Sequence, residues 1–270
     1  IRVDQIREEA IAEYQVSSIE PNKMQKEALK GLQAVRDSGK KKALVISATG
    51  TGKTYLSAFD VRQFNPKRML FVVHREQILQ KSLKDFQKVL QFPESEGLIY
   101  HSGADLTNKK YIFATIQTIS KQEVYQSFPK NYFDEIIIDE VHRAGAESYL
   151  RVMDYFKPTF YLGMTASPDR TDSFNIYELF NNNIVYEVRL KEAMENDLLC
   201  PFHYFGISDL EIDGQPIDEL SDFSKLYSDE RVNHIIDRIN YYGYSGNIVK
   251  GLVFCSSKQE AKALSDEFNK

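Results

Sequence analysis

The amino-acid sequence predicts an α/β fold, in which a parallel sheet is covered by helices on both of its faces. Short runs of continuously apolar residues recur along the chain, and segments with helical periodicity separate most of them. Strands that are buried on both faces of a parallel sheet have this composition, whereas half-exposed strands alternate apolar and polar residues. The recurrence of strand and helix therefore predicts parallel strands joined by helical crossovers.

Seven apolar runs in the first part of the chain are predicted to form strands, and the segments between them carry the helices. The helix that follows Pro21 has its apolar residues on one face and is expected to stop near Ser38 and Gly39. Other helices are predicted at 4–14, 75–90 and 190–197. The predicted strands are 43–46, 69–73, 98–100, 111–115, 135–139, 160–164 and 184–188.

The strand and helix pattern is interrupted beyond residue 181, and this change suggests three regions. Residues 1–200 are expected to hold the N-terminal helices and a first α/β domain. Residues 201–230 are rich in Asp, Ser and Gly and predict a polar hairpin or linker. Residues 231–270 are expected to begin a second domain, with a helix at 231–241, a strand at 251–255 and a helix at 258–269. Cys255 is expected to be buried in that strand.

Composition excludes several classes of protein before any motif is considered. The 270 residues carry 34 basic and 39 acidic side chains, a net charge of −5, which argues against a small, uniformly basic nucleic-acid binder. No apolar run approaches the roughly 20 residues that a membrane span needs. The two cysteines are too few for a disulfide framework or a metal cluster, so a reduced, cytoplasmic setting is expected. Oligomeric state is not indicated.

A glycine-rich loop follows the first strong strand and precedes a helix, the context that a phosphate-binding loop requires. Residues 47–54 read Ser-Ala-Thr-Gly-Thr-Gly-Lys-Thr. The backbone of Thr49, Gly50, Thr51 and Gly52 is predicted to point N–H groups at the phosphates of ATP, next to the positive end of the helix dipole. Lys53 supplies a charge for the β- and γ-phosphates, and Thr54 supplies a hydroxyl for Mg²⁺.

The phosphate-loop pattern has one departure and one alternative interpretation. The strict pattern has a glycine six residues before the lysine, where this chain has Ser47. The alternative is an ordinary glycine-rich turn between a strand and a helix.

An acidic pair stands at the end of the strand predicted over 135–139. In a parallel sheet the carboxyl ends of the strands form the ligand crevice. Asp139 is therefore placed to hold Mg²⁺, and Glu140 to orient or deprotonate the attacking water. His142 is expected to couple the nucleotide site to the next motif. The alternative interpretation of the acidic pair is a solvated start of a helix.

Taken in order, these residues resemble the motifs of superfamily-two helicases and translocases of the DEAD/DEAH-box kind. The nearest branch by resemblance is that of the motor subunits of type III restriction enzymes. The resemblance implies a RecA-like P-loop NTPase fold followed by the start of a second RecA-like domain. The matching motifs are 48–54 for motif I, 73–79 for Ia, 114–118 for Ib, 139–142 for II, 165–168 for III and 252–257 for IV.

The resemblance also implies roles for residues outside the nucleotide loop. Arg75, Thr115, Gln117 and Thr118 would bind the nucleic-acid backbone, a contact that positions a strand without reading its sequence. The alternatives are a salt-bridged helix start for Arg75 and ordinary hydroxyl capping for the two threonines.

Motif III and the region upstream of the phosphate loop carry further implied roles. Thr165 and Ser167 would link the state of ATP to the grip on the strand, the alternative being a short turn with hydroxyl caps. Arg170 is either a further nucleic-acid contact or a surface charge. Gln25 resembles the adenine-contacting glutamine found upstream of motif I, and its alternative is a glutamine on a helix surface.

The predicted function is that of an ATP-dependent helicase or translocase on nucleic acid, with DNA favoured over RNA through the branch resemblance. Motifs V and VI are expected in the missing remainder of the second RecA-like domain, which would be a partner of this chain. Because motif VI supplies the arginine that reaches the γ-phosphate, this chain is expected to bind ATP but to hydrolyse it poorly. The alternative is an ATP-dependent conformational switch or binding module without motor activity.

Overall fold

The structure, a computed structural model, describes residues 19–143, 147–168, 175–207, 211–212, 215–216 and 228–269. The helix predicted over 4–14 and Arg170 lie outside these residues. The chain divides into two units, Ile1–Pro201 and Phe202–Lys270, which are described separately. Among the described residues, no helix combines the length and the apolar character needed to cross a membrane.

The first unit is built on seven strands, and every neighbouring pair is parallel. Their order across the sheet is β3-β4-β2-β5-β6-β1-β7. The predicted parallel sheet is therefore confirmed, with strand ends that differ from the prediction by a residue at most. The strands are β1 (Lys42–Ser47), β2 (Met69–Val73), β3 (Gly97–Ile99), β4 (Tyr111–Thr115), β5 (Glu135–Ile138), β6 (Phe160–Thr165) and β7 (Ile184–Val188).

Eight described α-helices and two 3₁₀ turns precede, connect and follow these strands. The long helices lie early in the unit, whereas several of the later ones have a single turn. The helices are α1 (Lys23–Asp37), α2 (Lys53–Phe64), α3 (Glu76–Leu90), α4 (Ile116–Ile119), α5 (Gln122–Tyr125), α6 (Glu147–Tyr155), α7 (Ile176–Leu179) and α8 (Leu190–Glu195), and the 3₁₀ turns are Glu94–Glu96 and Val141–Arg143.

Each face of the sheet has its own hydrophobic core. Alternate residues of a strand point to opposite faces, so that Ala43 and Val45 pack with α1, α2 and α3, whereas Leu44 and Ile46 pack against the side of α4 to α7. Both cores are closed, because the central strands bury nearly all of their residues. Helices on both faces are thereby confirmed.

Local capping explains where α1 begins and ends. Asn22 accepts a hydrogen bond from the backbone N–H of Gln25, and the Gln25 side chain accepts one from the backbone N–H of Asn22, which is a capping box. The helix therefore starts at Lys23, two residues after Pro21. It stops before Gly39, whose φ of 75° lies in the left-handed region.

A buried ionic cluster ties α1, α2 and β5 together. The guanidinium of Arg36 donates to both carboxylate oxygens of Asp60, at 2.7 and 2.6 Å, and to Glu135 at 2.8 Å. Both carboxyl groups are fully buried. The guanidinium also lies over the rings of Phe64 and Phe160, 4.4 and 4.0 Å from their centroids. Burial, followed by the charge of Asp60, raises the pKa of Glu135 well above its usual value.

The second unit contains two described helices, α9 (Asp229–Tyr242) and α10 (Lys258–Phe268). Two short strands, β8 (Glu211–Ile212) and β9 (Gln215–Pro216), form an antiparallel pair within the stretch predicted as a polar hairpin or linker. The two helices begin within two residues of the predicted positions.

The strand predicted over 251–255 is absent from the structure, and this prediction was wrong. Leu252 and Phe254 are 85% and 91% exposed, and Cys255 is half-buried and not part of a core. A strand needs a neighbour that accepts and donates its backbone hydrogen bonds. In the part of the second unit that the structure describes, no segment pairs with these residues, so their apolar side chains have no sheet to join.

Removing the cation from the buried cluster should destabilise the fold. We expect Arg36→Met to lower the free energy of unfolding by about 3–5 kcal/mol, because two buried carboxyl groups lose their partner. Urea unfolding at neutral pH measures this. An unchanged midpoint in Arg36→Met would show that the cluster does not hold α1 to the sheet.

Replacing Glu135 is the matched control, and it also tests how the free energy of unfolding depends on pH. The pKa of Glu135 is raised in the folded state, so the protonated carboxyl contributes stability that is fully present when the pH is below the ordinary pKa of the group. This stability is lost as the pH rises through the raised pKa of the folded state. Glu135→Gln mimics the protonated form. We expect it to change the free energy of unfolding by less than about 1 kcal/mol at neutral pH and to flatten this pH dependence.

Candidate active site

The loop between β1 and α2 is shaped by two glycines with left-handed backbone. Gly50 and Gly52 have φ of 90° and 87°, and Gly52 is the N-cap of α2. A Cβ on Gly52 would lie 3.0 Å from Nε2 of Gln25, and one on Gly50 would lie 3.0 Å from Cδ2 of Leu199. The positive φ therefore favours glycine at both positions, and a Cβ would also crowd the two neighbouring side chains. Thr49 and Gly50 are exposed at the tip of the loop.

Hydroxyl groups brace the loop from within. Thr51 Oγ1 donates to the carbonyl of Ala48 at 2.7 Å and stands 2.6 Å from Ser47 Oγ. Since the single proton of Thr51 is committed to Ala48, Ser47 is the donor in the second hydrogen bond. The departure of Ser47 from the strict glycine pattern thus has a structural role that the sequence did not indicate.

Lys53 stands in the first turn of α2 and folds back over the loop. Its Nζ donates to the carbonyl oxygens of Ser47 and Ala48, at 2.9 and 3.3 Å. Burial lowers its pKa, while the charges of Glu140 and Asp139 act in the opposite direction. The structure therefore brings the lysine of the loop and the acidic pair of β5 within electrostatic reach of one another. Thr54 follows Lys53 and is half-buried.

Asp139 and Glu140 lie at the carboxyl end of β5. Asp139 is buried and accepts a hydrogen bond from the backbone N–H of Glu140 at 3.0 Å. Burial and the charge of Glu140 raise the pKa of Asp139 to about 6. Glu140 itself has a φ of 53°, an uncommon conformation for a residue other than glycine. A buried carboxylate beside a second carboxylate is a site that a cation would stabilise.

The donor set suits Mg²⁺ better than a metal held by protein ligands alone. Within the described residues, no group of three His, Cys, Asp or Glu side chains is placed to hold a metal ion. Mg²⁺ in nucleotide enzymes is bound by one or two protein oxygens together with phosphates and water. Asp139 and the hydroxyl of Thr54 could supply those protein oxygens.

His142 connects the acidic pair to β6. Its Nδ1 lies 3.1 Å from Oε2 of Glu140 and 3.1 Å from Oγ1 of Thr165. The Thr165 hydroxyl is buried and accepts a hydrogen bond from the backbone N–H of Ser167 at 3.2 Å. The three residues predicted to couple motifs II and III are thus joined in one chain of contacts that ends on Glu140.

Gln25 reaches the phosphate loop from α1. Its Nε2 donates to the carbonyl of Gly52 at 3.4 Å, while its Oε1 completes the capping box with Asn22. The side chain therefore lies against the loop and is not a free glutamine on a helix surface. Because this hydrogen bond holds Nε2 of Gln25 beside Gly52, a Cβ on Gly52 would crowd that atom.

The residues predicted to bind nucleic acid lie at the carboxyl ends of β2 and β4. Thr115 caps α4, because its Oγ1 accepts from the backbone N–H of Thr118 and stands 3.0 Å from that residue's hydroxyl. The structure therefore contains the hydroxyl cap of the alternative interpretation, and the binding of nucleic acid by these threonines stays a prediction. Gln117 is exposed, and its Nε2 stands 3.2 Å from Nδ1 of His74.

Arg75 is exposed and is the N-cap of α3. Its guanidinium makes no ion pair with any described residue, so the salt-bridge alternative finds no support. Arg75 lines a pocket that Asp139 and Glu140 also line. Arg75 and the acidic pair therefore share one pocket.

Comparison with known proteins identifies the family. A family profile described as "Type III restriction enzyme, res subunit" matches residues 18–170, more than half of the chain. The chain belongs to this family. The Escherichia coli protein "Type I restriction enzyme EcoAI endonuclease subunit" is 28% identical, and the match covers 87% of this chain and 32% of that protein. The chain thus spans about one third of that relative.

Solved structures show the same fold. The Hef helicase domain of Pyrococcus furiosus has a TM-score of 0.52 at 17% identity, covering 89% of this chain and 52% of that one. The Sulfolobus solfataricus SWI2/SNF2 ATPase core, solved in complex with double-stranded DNA, has a TM-score of 0.52 at 12% identity, covering 93% and 57%. The first unit therefore has the RecA-like fold of helicase domains, as expected.

The res-subunit family match contains every residue that the sequence assigned to the site. Gln25, the loop at 47–54 and the acidic strand end all fall within 18–170, as do Thr165 and Ser167. The sequence assigned no role to two neighbours of the site, Ser47 and His74. The signals that could have found them are the missing glycine at 47 and the position of His74 directly before Arg75.

Gly52→Ala should weaken nucleotide binding, whereas the same substitution at a matched glycine, Gly103, should not. Both Gly52 and Gly103 have positive φ, of 87° and 84°, so alanine at either should cost roughly 1–2 kcal/mol of stability. Only at Gly52 does the added Cβ press on Gln25. We expect ADP affinity to fall at least about tenfold in Gly52→Ala and to stay unchanged in Gly103→Ala.

Thermal unfolding and calorimetric titration with ADP measure the two quantities. Equal ADP affinities in the two variants would contradict the assignment of this loop to phosphate binding.

Proposed function

We propose that the protein is an ATP-dependent motor that hydrolyses ATP with Mg²⁺ and moves on nucleic acid. One observation carries this proposal. Lys53 follows β1, and Asp139 and Glu140 follow β5, so the lysine and the acidic pair lie at the same carboxyl edge of the sheet with only β6 between their strands. A phosphate group, a cation and a water could meet there. Membership of the res-subunit family supports a general helicase role.

The nucleotide would be held by the loop and by Lys53. Backbone N–H groups of residues 49–53 and the positive end of the α2 dipole would contact the phosphates. Lys53 would exchange its two carbonyl partners for phosphate oxygens, which are stronger acceptors for an ammonium group. Gln25, already against the loop, would contact the adenine.

Asp139 and Thr54 would hold Mg²⁺, which neutralises negative charge on the β- and γ-phosphates. Glu140 would accept a proton from water while the water oxygen bonds to the γ-phosphorus. The bond from that phosphorus to the oxygen of the β-phosphate then breaks and releases ADP. His142 holds one carboxylate oxygen of Glu140, leaving the other to face the water.

The contacts from Glu140 through His142 to Thr165 and Ser167 provide a route from hydrolysis to movement. A change in the charge or position of Glu140 alters the environment of His142 Nδ1, which also faces Thr165. Thr165 in turn holds the backbone of Ser167, at the start of the segment that follows β6.

We propose that DNA is the nucleic acid on which the protein preferentially moves. The restriction-enzyme family to which the chain belongs supports this choice. The SWI2/SNF2 core that shares the fold was solved on double-stranded DNA. Arg75 and Gln117 are exposed at the carboxyl edge of the sheet, where they could contact a phosphate backbone.

Two substitutions should separate binding from chemistry. We expect Lys53→Ala to weaken ATP binding about 100-fold, since hydrogen bonds from a charged group to phosphate are lost. Glu140→Gln should keep ATP affinity but reduce turnover about 10²–10⁴-fold, because the proton acceptor is removed. Calorimetry and a steady-state hydrolysis assay measure these effects. Normal turnover in Glu140→Gln would rule out Glu140 as the general base.

Nucleic acid should stimulate ATP turnover if the protein is a motor. The assay compares single-stranded DNA, duplex DNA and RNA, in this chain and in a chain extended to the length of its relatives. We expect DNA to stimulate most, and the extended chain to turn over ATP faster. An extended chain that hydrolyses ATP at the same rate with and without every nucleic acid would instead favour an ATP-dependent switch.

A further inference from the structure

A second pocket adjoins the hydrolytic residues, on the side away from the phosphate loop. It has a volume of about 220 Å³ and lies at the carboxyl ends of β2 and β5. His74 and Arg75 line it from β2 and the start of α3, and Asp139, Glu140 and His142 line it from β5 and the turn that follows. The sheet order β2-β5-β6-β1 puts Glu140 between this pocket and the loop that follows β1.

One side of the pocket, formed by His74 and Arg75, has the features of a small anion site. Arg75 carries a guanidinium that pairs with no described carboxylate, and a guanidinium matches the oxygens of phosphate well. Arg75 is also the N-cap of α3, a 15-residue helix whose first N–H groups carry partial positive charge. The imidazoles of His74 and His142 add hydrogen-bonding groups. Asp139 and Glu140 oppose anion binding, so the site suits a transient ligand.

The order of the strands relates this pocket to the path of the reaction. Hydrolysis in line with the bond to ADP moves the released phosphorus away from ADP and toward the attacking water. The loop after β1 holds the ADP side, and Glu140 marks the water side. A phosphate that leaves in this direction arrives at the pocket bordered by Arg75.

We propose that this pocket holds the inorganic phosphate product before it leaves, and that Arg75 is the cation that binds it. The proposal rests on the ATP hydrolysis proposed above. The backbone phosphates of a nucleic acid share the same chemistry and could reach Arg75 from solvent. The test must therefore distinguish free phosphate from a strand.

The test measures binding of radiolabelled orthophosphate to the chain saturated with Mg·ADP, by equilibrium dialysis. Arg75→Gln removes the charge, and Lys81→Gln removes one exposed charge from the same helix as a matched control. We expect orthophosphate to bind about tenfold more weakly to Arg75→Gln than to wild type and equally well to Lys81→Gln. A parallel titration with a short single-stranded DNA reports the other source of phosphate.

Each outcome decides between the proposals. If Mg·ADP binds but orthophosphate does not, or binds equally to wild type and Arg75→Gln, the product site is wrong while the nucleotide site stands. If Arg75→Gln weakens binding of the DNA alone, Arg75 serves the strand and the product site is wrong. If Mg·ADP fails to bind, the proposed function and the product site fall together.

Discussion

The parallel direction of all seven strands is the constraint on which the site depends. Because every strand ends at the same edge, residues that are far apart in the chain converge there. Lys53 follows β1, Asp139 follows β5 and Thr165 closes β6. Both faces of the central strands are buried, so a slip by one residue would move every side chain of a strand into the core on the opposite face and disrupt the packing of both cores. The positions of these polar groups therefore follow from the packing of the two hydrophobic cores.

The buried cluster of Arg36, Asp60 and Glu135 acts at the opposite edge of the same sheet. Glu135 opens β5, which ends beside Asp139, and Asp60 lies in the helix that begins with Lys53. Arg36 lies in the last turn of the helix that carries Gln25. One guanidinium thus connects the three elements that hold the lysine, the acidic pair and the glutamine. Breaking a buried pair is costly, so the three elements are held to a common frame.

The sequence could predict the sheet and the glycine-rich turn between β1 and α2 because both are local patterns. Apolar runs such as 69–73 and 111–115 mark strands whatever their neighbours, and the loop at 47–54 carries its own glycines. The sequence could not predict that residues 251–255 form no strand, because an apolar run becomes a strand only when another strand pairs with it. Nor could it show that Ser47 braces the loop or that Arg36 meets Glu135, since those contacts join distant segments.

The order of strands in the sheet differs from their order in the chain, and this difference gives Arg75 its significance. In the chain, Arg75 lies 64 residues before Asp139. In the sheet, β2 and β5 are direct neighbours, with Val72 paired to Ile138. A residue that the motif resemblance assigns to nucleic-acid binding therefore also lies beside the acidic pair. In the proposed motor, a cation in that position would face both the nucleic acid and the site of hydrolysis, so the neighbour relation of β2 and β5 would be a physical basis for coupling them.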